Sequence, residues 1–403
     1  MDKVTNVPKP KKSVMFGAIF LMATSAIGPA FLTQTSYFTE KYLASFGFAI
    51  LASILIDIAV QLNVWRVICL SGKRGQDVAE GVFPGLGKLL AVLIVLGGLV
   101  FNIGNVAGAG LGLHVLTGVT VQTGAAISGI IALLVFVCKN AGKAMDAVAQ
   151  FLGGLMIILV GYVMLSSNPP YAEAAIKTVA PDNIGLLVFP LITLIGGTVG
   201  GYITFSGAHR LIDAGITGMQ YEKQINQTAI RGILTTGVMR VLLFLAVLGV
   251  VSSGHKLDPF NPAATAFQVA AGPVGYYLFG MVIWAAALTS IIGAAYTSVS
   301  FLKSFGDFFV KNNNKIIIGF IIFSTLVFTM VGRPVSVLVV VGSINGLVLP
   351  LTLLAIILAA RKKSIMGDMY HHPVWLSAIG IAATVITAVV GIKSLGAIAK
   401  LFQ

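Results

Sequence analysis

Charge is what this chain has least of. Only 10% of its 403 residues are Asp, Glu, Lys or Arg, against about 25% in soluble domains, and 57% are hydrophobic. A soluble globular fold is excluded, and the long apolar runs point to an all-α integral membrane protein. Cysteine is almost absent. Cys69 and Cys138 both fall near helix ends on the same side of the membrane, which argues against a structural disulfide, and neither has the spaced partners of a metal site. Phosphate-cradling loops, nucleophile elbows and zinc spacings are missing, so the chain does not read as an enzyme and calls for no cofactor beyond a coupling ion. Acidic residues number thirteen. Of these only Asp57 lies well inside an apolar run, with Asp146 at a helix end.

What is present is a series of about eleven apolar runs: 14–39, 45–70, 86–115, 122–138, 143–166, 184–208, 226–251, 273–302, 315–332, 334–360 and 373–395. Each is close to the roughly 20 residues a helix needs to span a bilayer. The basic start followed by an apolar run mimics a signal peptide, but its length marks it as a retained span. The net charge of +13 would by itself admit a nucleic-acid partner; its distribution does not. With the N-terminus inside, inner segments hold 19 of the 26 Lys and Arg residues and outer segments six, Arg240 lying within a span. This asymmetry predicts a cytoplasmic N-terminus, an external C-terminus and a plasma-membrane location. Residues 1–12 read as a cytoplasmic tail, 13–166 as a first five-helix unit, 184–360 as a second, inverted one, and 373–395 as an additional, peripheral eleventh helix. The proline-containing stretch 167–183 joins the two units.

Two of the runs are interrupted. The sixth contains Gly196-Gly197-Thr198-Val199-Gly200-Gly201-Tyr202, and each glycine weakens a helix by about 1 kcal/mol relative to alanine. The first contains Ile27-Gly28-Pro29-Ala30-Phe31, where proline removes a backbone donor. Interruptions at corresponding places in two halves point to a transporter built on inverted repeats, with its site between the breaks. New half-helices are expected near Phe31 and Tyr202, presenting free amides and positive dipole ends suited to an anion. Ser25, Gly28, Pro29, Ala30, Phe31 and Gln34 on the first span, with Gly197, Thr198, Gly200, Gly201 and Tyr202 on the sixth, are the candidate substrate-binding residues. Thr24, Thr33 and Thr204 could add hydrogen bonds, or these hydroxyls could serve only to satisfy the broken backbone. The four glycines Gly28, Gly197, Gly200 and Gly201 are expected to line an open pocket, so that Gly200→Ala would impair transport yet leave the fold intact.

Asp57 on the second span and Arg240 on the seventh are candidate partners for coupling or gating, the alternative being a static pair that locks the halves together. The glycines of the third span are read as packing surface. His114 and His209 are read as helix-end residues, and His371-His372 with Asp368 as a solvated loop rather than a chelate. The loop from Gly254 to Gly272 has room for a short interfacial helix.

Several motifs resemble the Nramp family of proton-coupled divalent-metal transporters, within the LeuT-type superfamily. Gly75-Gln76-Asp77-Val78-Ala79-Glu80 is similar to the family's Gly-Lys-Asp-Leu-Ala-Glu, and Gly196-Gly197-Thr198-Val199 to its Gly-Ala-Thr-Val. Gly108 to Gly118 with Gly124, and Leu349-Pro350, resemble further family patterns. The resemblance spans about the first ten helices and implies a five-plus-five inverted repeat with broken helices 1 and 6. The family's metal ligands do not carry over. Its Asp-Pro-Gly-Asn falls on Gly28-Pro29-Ala30-Phe31 and its Met-Pro-His-Asn on Gly200-Gly201-Tyr202-Ile203. Its proton-linked acids fall on Asn102 and Asn105, which join Asp57 and Arg240 as coupling candidates. The glycine-rich first break instead resembles that of amino-acid transporters of the superfamily, where amides hold a carboxylate. The resemblance to a divergent bacterial branch, members of which are encoded beside 5-oxoprolinase components, implies 5-oxoproline or a related organic or amino acid. The leading expectation is a secondary transporter, a symporter of a small carboxylate with protons or sodium. The alternative is divalent-metal transport, for instance of hydrated Mg²⁺, and a third is a non-transporting receptor. The partners expected are a small-molecule or ion substrate and the lipid bilayer, with no nucleic acid, no metal site and the oligomeric state left open.

Overall fold

A computed structural model describes residues 12–400, with side-chain detail outside 139–149 and 397–400. The expected basic tail and the side chains of Lys139, Lys143 and Asp146 therefore lie outside the described residues. The helices are α1 (Lys12–Ala26), α2 (Pro29–Tyr42), α3 (Gly47–Ser71), α4 (Gly75–Val82), α5 (Leu86–Thr117), α6 (Val121–Val137), α7 (Lys139–Ser166) and α8 (Tyr171–Val179). They continue as α9 (Ile184–Thr198), α10 (Ile203–Asp213), α11 (Glu222–Ser252), α12 (Pro262–Ser300), α13 (Asp307–Lys311), α14 (Asn313–Val331), α15 (Pro334–Ala360), α16 (Lys363–Met366) and α17 (Val374–Lys400). Among the described residues eight segments are long and apolar enough to span a membrane unaided. Taking α1 with α2 and α9 with α10 as broken spans, and adding α6 and α7, gives eleven segments in the expected order.

The connections hold more structure than their composition predicts. The loop after α3 contains α4, and the proline-containing joint contains α8, bent by 109° from the helix before it. Within α12, Gly272 adopts φ 61°, ψ −160°, so Pro262–Ala271 is a separate short helix ahead of the span. Glu80, in the Gly-Gln-Asp-Val-Ala-Glu motif, accepts from the amides of Gly85 (2.8 Å) and Gly87 (3.0 Å). It thereby satisfies donors at the start of α5, and the Gly85 amide chiefly holds its carboxyl below the usual range. This part of the motif is structural.

Glycine decides how closely the helices approach. A Cβ on Gly108 would lie 2.1 Å from Pro29, and one on Gly112 only 2.7 Å from the Trp284 amide nitrogen. A Cβ on Gly196 would sit 1.7 Å from the Gly342 carbonyl oxygen. Without side chains at these points α5 reaches α2 and α12, and α9 reaches α15, at backbone distance, as helices in lipid do where small residues meet.

Asp57 and Arg240 join α3 to α11. Arg240 Nη2 donates to Asp57 Oδ2 at 3.0 Å, and both residues are 1% exposed. Thr236 donates to the same oxygen (3.2 Å), and Arg240 Nη1 to the Ser53 carbonyl (3.2 Å). The eleventh span, α17, is tethered to α3. His372, expected in a solvated loop, bonds Tyr370 through Nδ1 (2.6 Å) and Asn63 through Nε2 (2.9 Å). Asn63 also donates to the Leu376 carbonyl of α17. Burial, with nearby Arg66 and Arg361, pushes the His372 pKa down to about 4. Both ring nitrogens are engaged, which removes the chelate that His371-His372 with Asp368 would make.

The buried pair yields a stability prediction. Asp57→Asn leaves a buried guanidinium unpaired and is expected to cost about 3–5 kcal/mol, whereas Asp57→Asn with Arg240→Gln should recover most of that loss. Thermal melting of the three purified proteins checks it; equal melting of single and double variants contradicts it.

Candidate functional site

The first break falls at Ile27–Gly28, a little earlier than the expected 28–30. Pro29 and Ala30 belong to the following helix because proline at the first helical position is preorganised and lacks only an amide that would be orphaned anyway. Gly28 is extended (φ −74°, ψ −174°) and caps α2 without a side-chain bond. The Leu32 amide returns to the Gly28 carbonyl (3.2 Å), while the amides of Gly28, Ala30 and Phe31 meet no backbone acceptor. The second break spans 199–202 rather than 197–201. Gly197 and Thr198 stay helical, and the chain turns at Gly201, whose φ is +62°. Ile203, not Tyr202, begins the next helix.

Three of the four glycines expected to line a pocket are instead packed. A Cβ on Gly197 would lie 2.5 Å from Gln34 Oε1, one on Gly200 2.6 Å from the Asn345 carbonyl oxygen, and one on Gly201 1.9 Å from Asn345 Oδ1. The second break is plugged by α15. Asn345 is anchored there by donating to the Gly97 and Val341 carbonyls, both at 3.0 Å. Gln34 is likewise structural in this conformation: it donates to the Leu338 carbonyl at 2.6 Å and bridges α2, α9 and α15. Thr198 and Thr204 bond the carbonyls of Leu194 and Val199, closing on their own backbone. Only Gly28 has room, its nearest neighbours being the Thr24 carbonyl oxygen (3.4 Å), the Ser25 carbonyl oxygen (3.6 Å) and Ser290 Oγ (3.7 Å).

Polar groups without partners gather beside the breaks. The Tyr202 hydroxyl faces Ser25 and Asn105, yet no bond of ordinary geometry reaches it. Neither side-chain atom of Asn105 has a partner. Phe101 meets the Tyr202 ring edge-on at 5.2 Å. Asn102 turns instead to α14, donating to Ser324 at 2.9 Å. Of the coupling candidates, then, Asn105 lies at the break, Asn102 faces away, and Asp57 with Arg240 forms a separate pair lining neither of the two cavities below.

A polar cavity of about 580 Å³ opens among α1, α10 and α12. Its deep end is formed by Thr24 and Ser25, about one helical turn before Gly28, and its far end by Ser13 and Arg210. A second cavity of about 530 Å³, nearly all apolar, lies beside it against α7 and α11. Of the predicted site residues Ser25 borders the polar cavity, together with Thr24, one of the hydroxyls expected to add hydrogen bonds. The residues that do border it, including Ser206, His209, Thr289, Tyr296 and Ser300, were legible as a pattern. On α12, positions 289, 293, 296 and 300 recur at helical spacing, as do 206, 209 and 210 on α10. His209 does lie near the end of α10, as expected, but it is 3% exposed and accepts the Gly75 amide at Nε2 (3.1 Å). Among the described residues no group of three or more His, Cys, Asp or Glu side chains is placed to hold a metal.

The packing reverses the expectation for Gly200 and separates the glycines. Gly201→Ala forces a left-handed alanine, which costs about 1–2 kcal/mol, and drives a Cβ into Asn345; Gly200→Ala strikes the Asn345 carbonyl. Both are expected to melt well below the native protein, while Gly28→Ala melts close to it. Melting curves in one detergent decide this, and a native-like Gly201→Ala protein contradicts the plugged break.

The comparisons agree with this architecture. The chain is 57% identical over 383 residues to the Bacillus subtilis membrane protein YcsG, covering 95% of this chain and 94% of that one. It is 23% identical over 409 residues to the divalent metal cation transporter MntH of Brucella suis, covering 94% and 89%. In structure it superposes on an Eremococcus coleocola manganese transporter with a TM-score of 0.75 at 14% identity, over 97% of this chain and 88% of that one. It also superposes on MhsT in complex with L-phenylalanine, with a TM-score of 0.67 at 16% identity and 96% and 97% coverage. These likenesses place the fold among the LeuT-type transporters. The model of the natural resistance-associated macrophage protein-like proteins matches residues 19–397, and the chain belongs to the Nramp family.

Proposed function

We propose that this Nramp-family transporter carries a small carboxylate, of the kind exemplified by 5-oxoproline, in symport with protons or sodium. The observation that supports it is the set of unpartnered amides at Gly28, Ala30 and Phe31, in a break that has no acidic, thioether or imidazole side chain. Such amides at a helix N-terminus favour negative charge, and a carboxylate accepting them gains charge-assisted hydrogen bonds. A bare divalent cation there would face positive dipole ends with no carboxylate to neutralise it. The neutral cluster of Ser25, Asn105 and Tyr202 supplies donors and acceptors for the rest of a polar cargo. Asp57 and Arg240 hold α3 against α11, a place from which they gate the motion of one half against the other.

A second reading has its own support. The Brucella and Eremococcus relatives are named as divalent-metal and manganese transporters, and the carbonyls of Thr24 and Ser25 face the space beside Gly28. Oxygen ligands of that kind suit a hard, partly hydrated cation.

The two readings separate in one experiment. A carboxylate at 100 times its dissociation constant is expected to stabilise the purified protein by about 2.7 kcal/mol, with Mn²⁺ and Mg²⁺ producing no shift. Proteoliposomes should show saturable uptake of the same acid and no micromolar Mn²⁺ uptake. Stabilisation by Mn²⁺ or Mg²⁺ without any effect of organic acids supports the metal reading and contradicts ours.

A further inference from the structure

The polar cavity has a chemical bias that the break alone does not explain. Among the described residues Arg210 is the one charged side chain that lines it, and it has no carboxylate partner. Asp213, one turn further on, is already taken: Arg74 pairs with one of its oxygens, and the Tyr296 hydroxyl donates to the other at 3.1 Å. Beside Arg210, the His209 ring packs in a triad with Phe205 and Phe301, with centroids 5.5 and 5.2 Å away. Because Nε2 accepts the Gly75 amide, the ring hydrogen resides on Nδ1, and in this neutral ring Nδ1 is a donor. That buried donor has no acceptor. Arg210, with its free guanidinium, and His209, with its buried and unsatisfied N–H, thus line one cavity that also reaches Ser25.

We infer that Arg210 and His209 form a second anion-holding station, through which a carboxylate passes between the Gly28–Phe31 amides and the aqueous end of the cavity. This rests on the carboxylate reading above for the identity of its ligand, but not for its existence. The guanidinium draws the anion into the cavity, and the Nδ1–H gives it a directional bond.

Gly17 offers a probe, since a Cβ built on it would lie 3.9 Å from Arg210 Nε with nothing else within 4 Å. In full-length protein carrying Gly17→Cys and Cys138→Ser, the thiol is reacted with anionic methanethiosulfonate ethylsulfonate or its cationic trimethylammonium counterpart. Rates are normalised to a free thiol. The anionic reagent is expected to be preferred by about tenfold, the scale of one nearby charge at intermediate dielectric. The preference should vanish with Arg210→Gln and return with Arg210→Lys. Sulfate and 5-oxoproline should each slow the anionic reagent, and His209→Phe, which keeps the ring stack, should weaken that protection several-fold. Equal reagent rates in the Gly17→Cys protein, or no protection by sulfate, overturn the station even if the Arg210 variants fail to fold. Sulfate protection with neither protection nor thermal shift from any organic acid leaves the station standing and overturns the carboxylate cargo instead.

Discussion

A backbone amide or carbonyl inside a bilayer must find a partner within the protein, and two spans of this chain break that ladder at mid-course. The rest of the structure is arranged around those interruptions. Pro29 begins α2 where its missing amide does least harm, and α5 comes up against it through Gly108, where no side chain intervenes. The second break is covered by α15, whose Gly342 and Gly346 let its backbone meet α9 directly, with Asn345 filling the corner at Gly201. The many glycines are therefore chiefly a packing device that brings whole helices against the irregular backbone, as unwound segments require in lipid.

That covering is lopsided. On the α2 side Gln34 ties three helices together, and the residues from Pro29 to Ser36 are all buried. On the other side, α1, α10 and α12 part to leave the polar cavity that ends at Ser25. The protein is thus packed on the α2 side of the first break and hollow on the α1 side. The Asp57–Arg240 pair and the Asn63–His372 tether lie away from the cavity, where they fix α3 to α11 and to the approach of α17.

Much of this was legible in the sequence, and the omissions have physical reasons. Membrane class, span order and both breaks followed from apolar run length and from Gly28-Pro29 and Gly200-Gly201, because those signals are local. The partnership of Asp57 with Arg240 was legible because isolated charges in apolar runs must meet something. What failed was the assignment of free surface. A glycine reads the same whether it faces a cavity or another backbone, and only the position of Asn345, some 145 residues further along the chain, distinguishes them. The burial of His209 near the end of α10 was not legible because its partner is the Gly75 amide, a group no side-chain pattern reveals. The polar stripe along α12 was visible, but its meaning depended on α1 and α10 standing opposite.

The family's fold persists here, and in the sequence resemblance its metal-ligand motifs fall on glycine, phenylalanine and tyrosine; in our proposal the cargo is recognised by amides, hydroxyls and a carboxamide. The central claim is that the amides of α2 recognise negative charge. Isothermal titration of a small carboxylate against its isosteric primary amide tests it most directly. Charge-assisted hydrogen bonds contribute about 1.5–3 kcal/mol each, so the account predicts that the acid binds at least about tenfold more tightly than the amide. Equal binding of acid and amide, or a site that binds Mn²⁺ and neither of them, would contradict it.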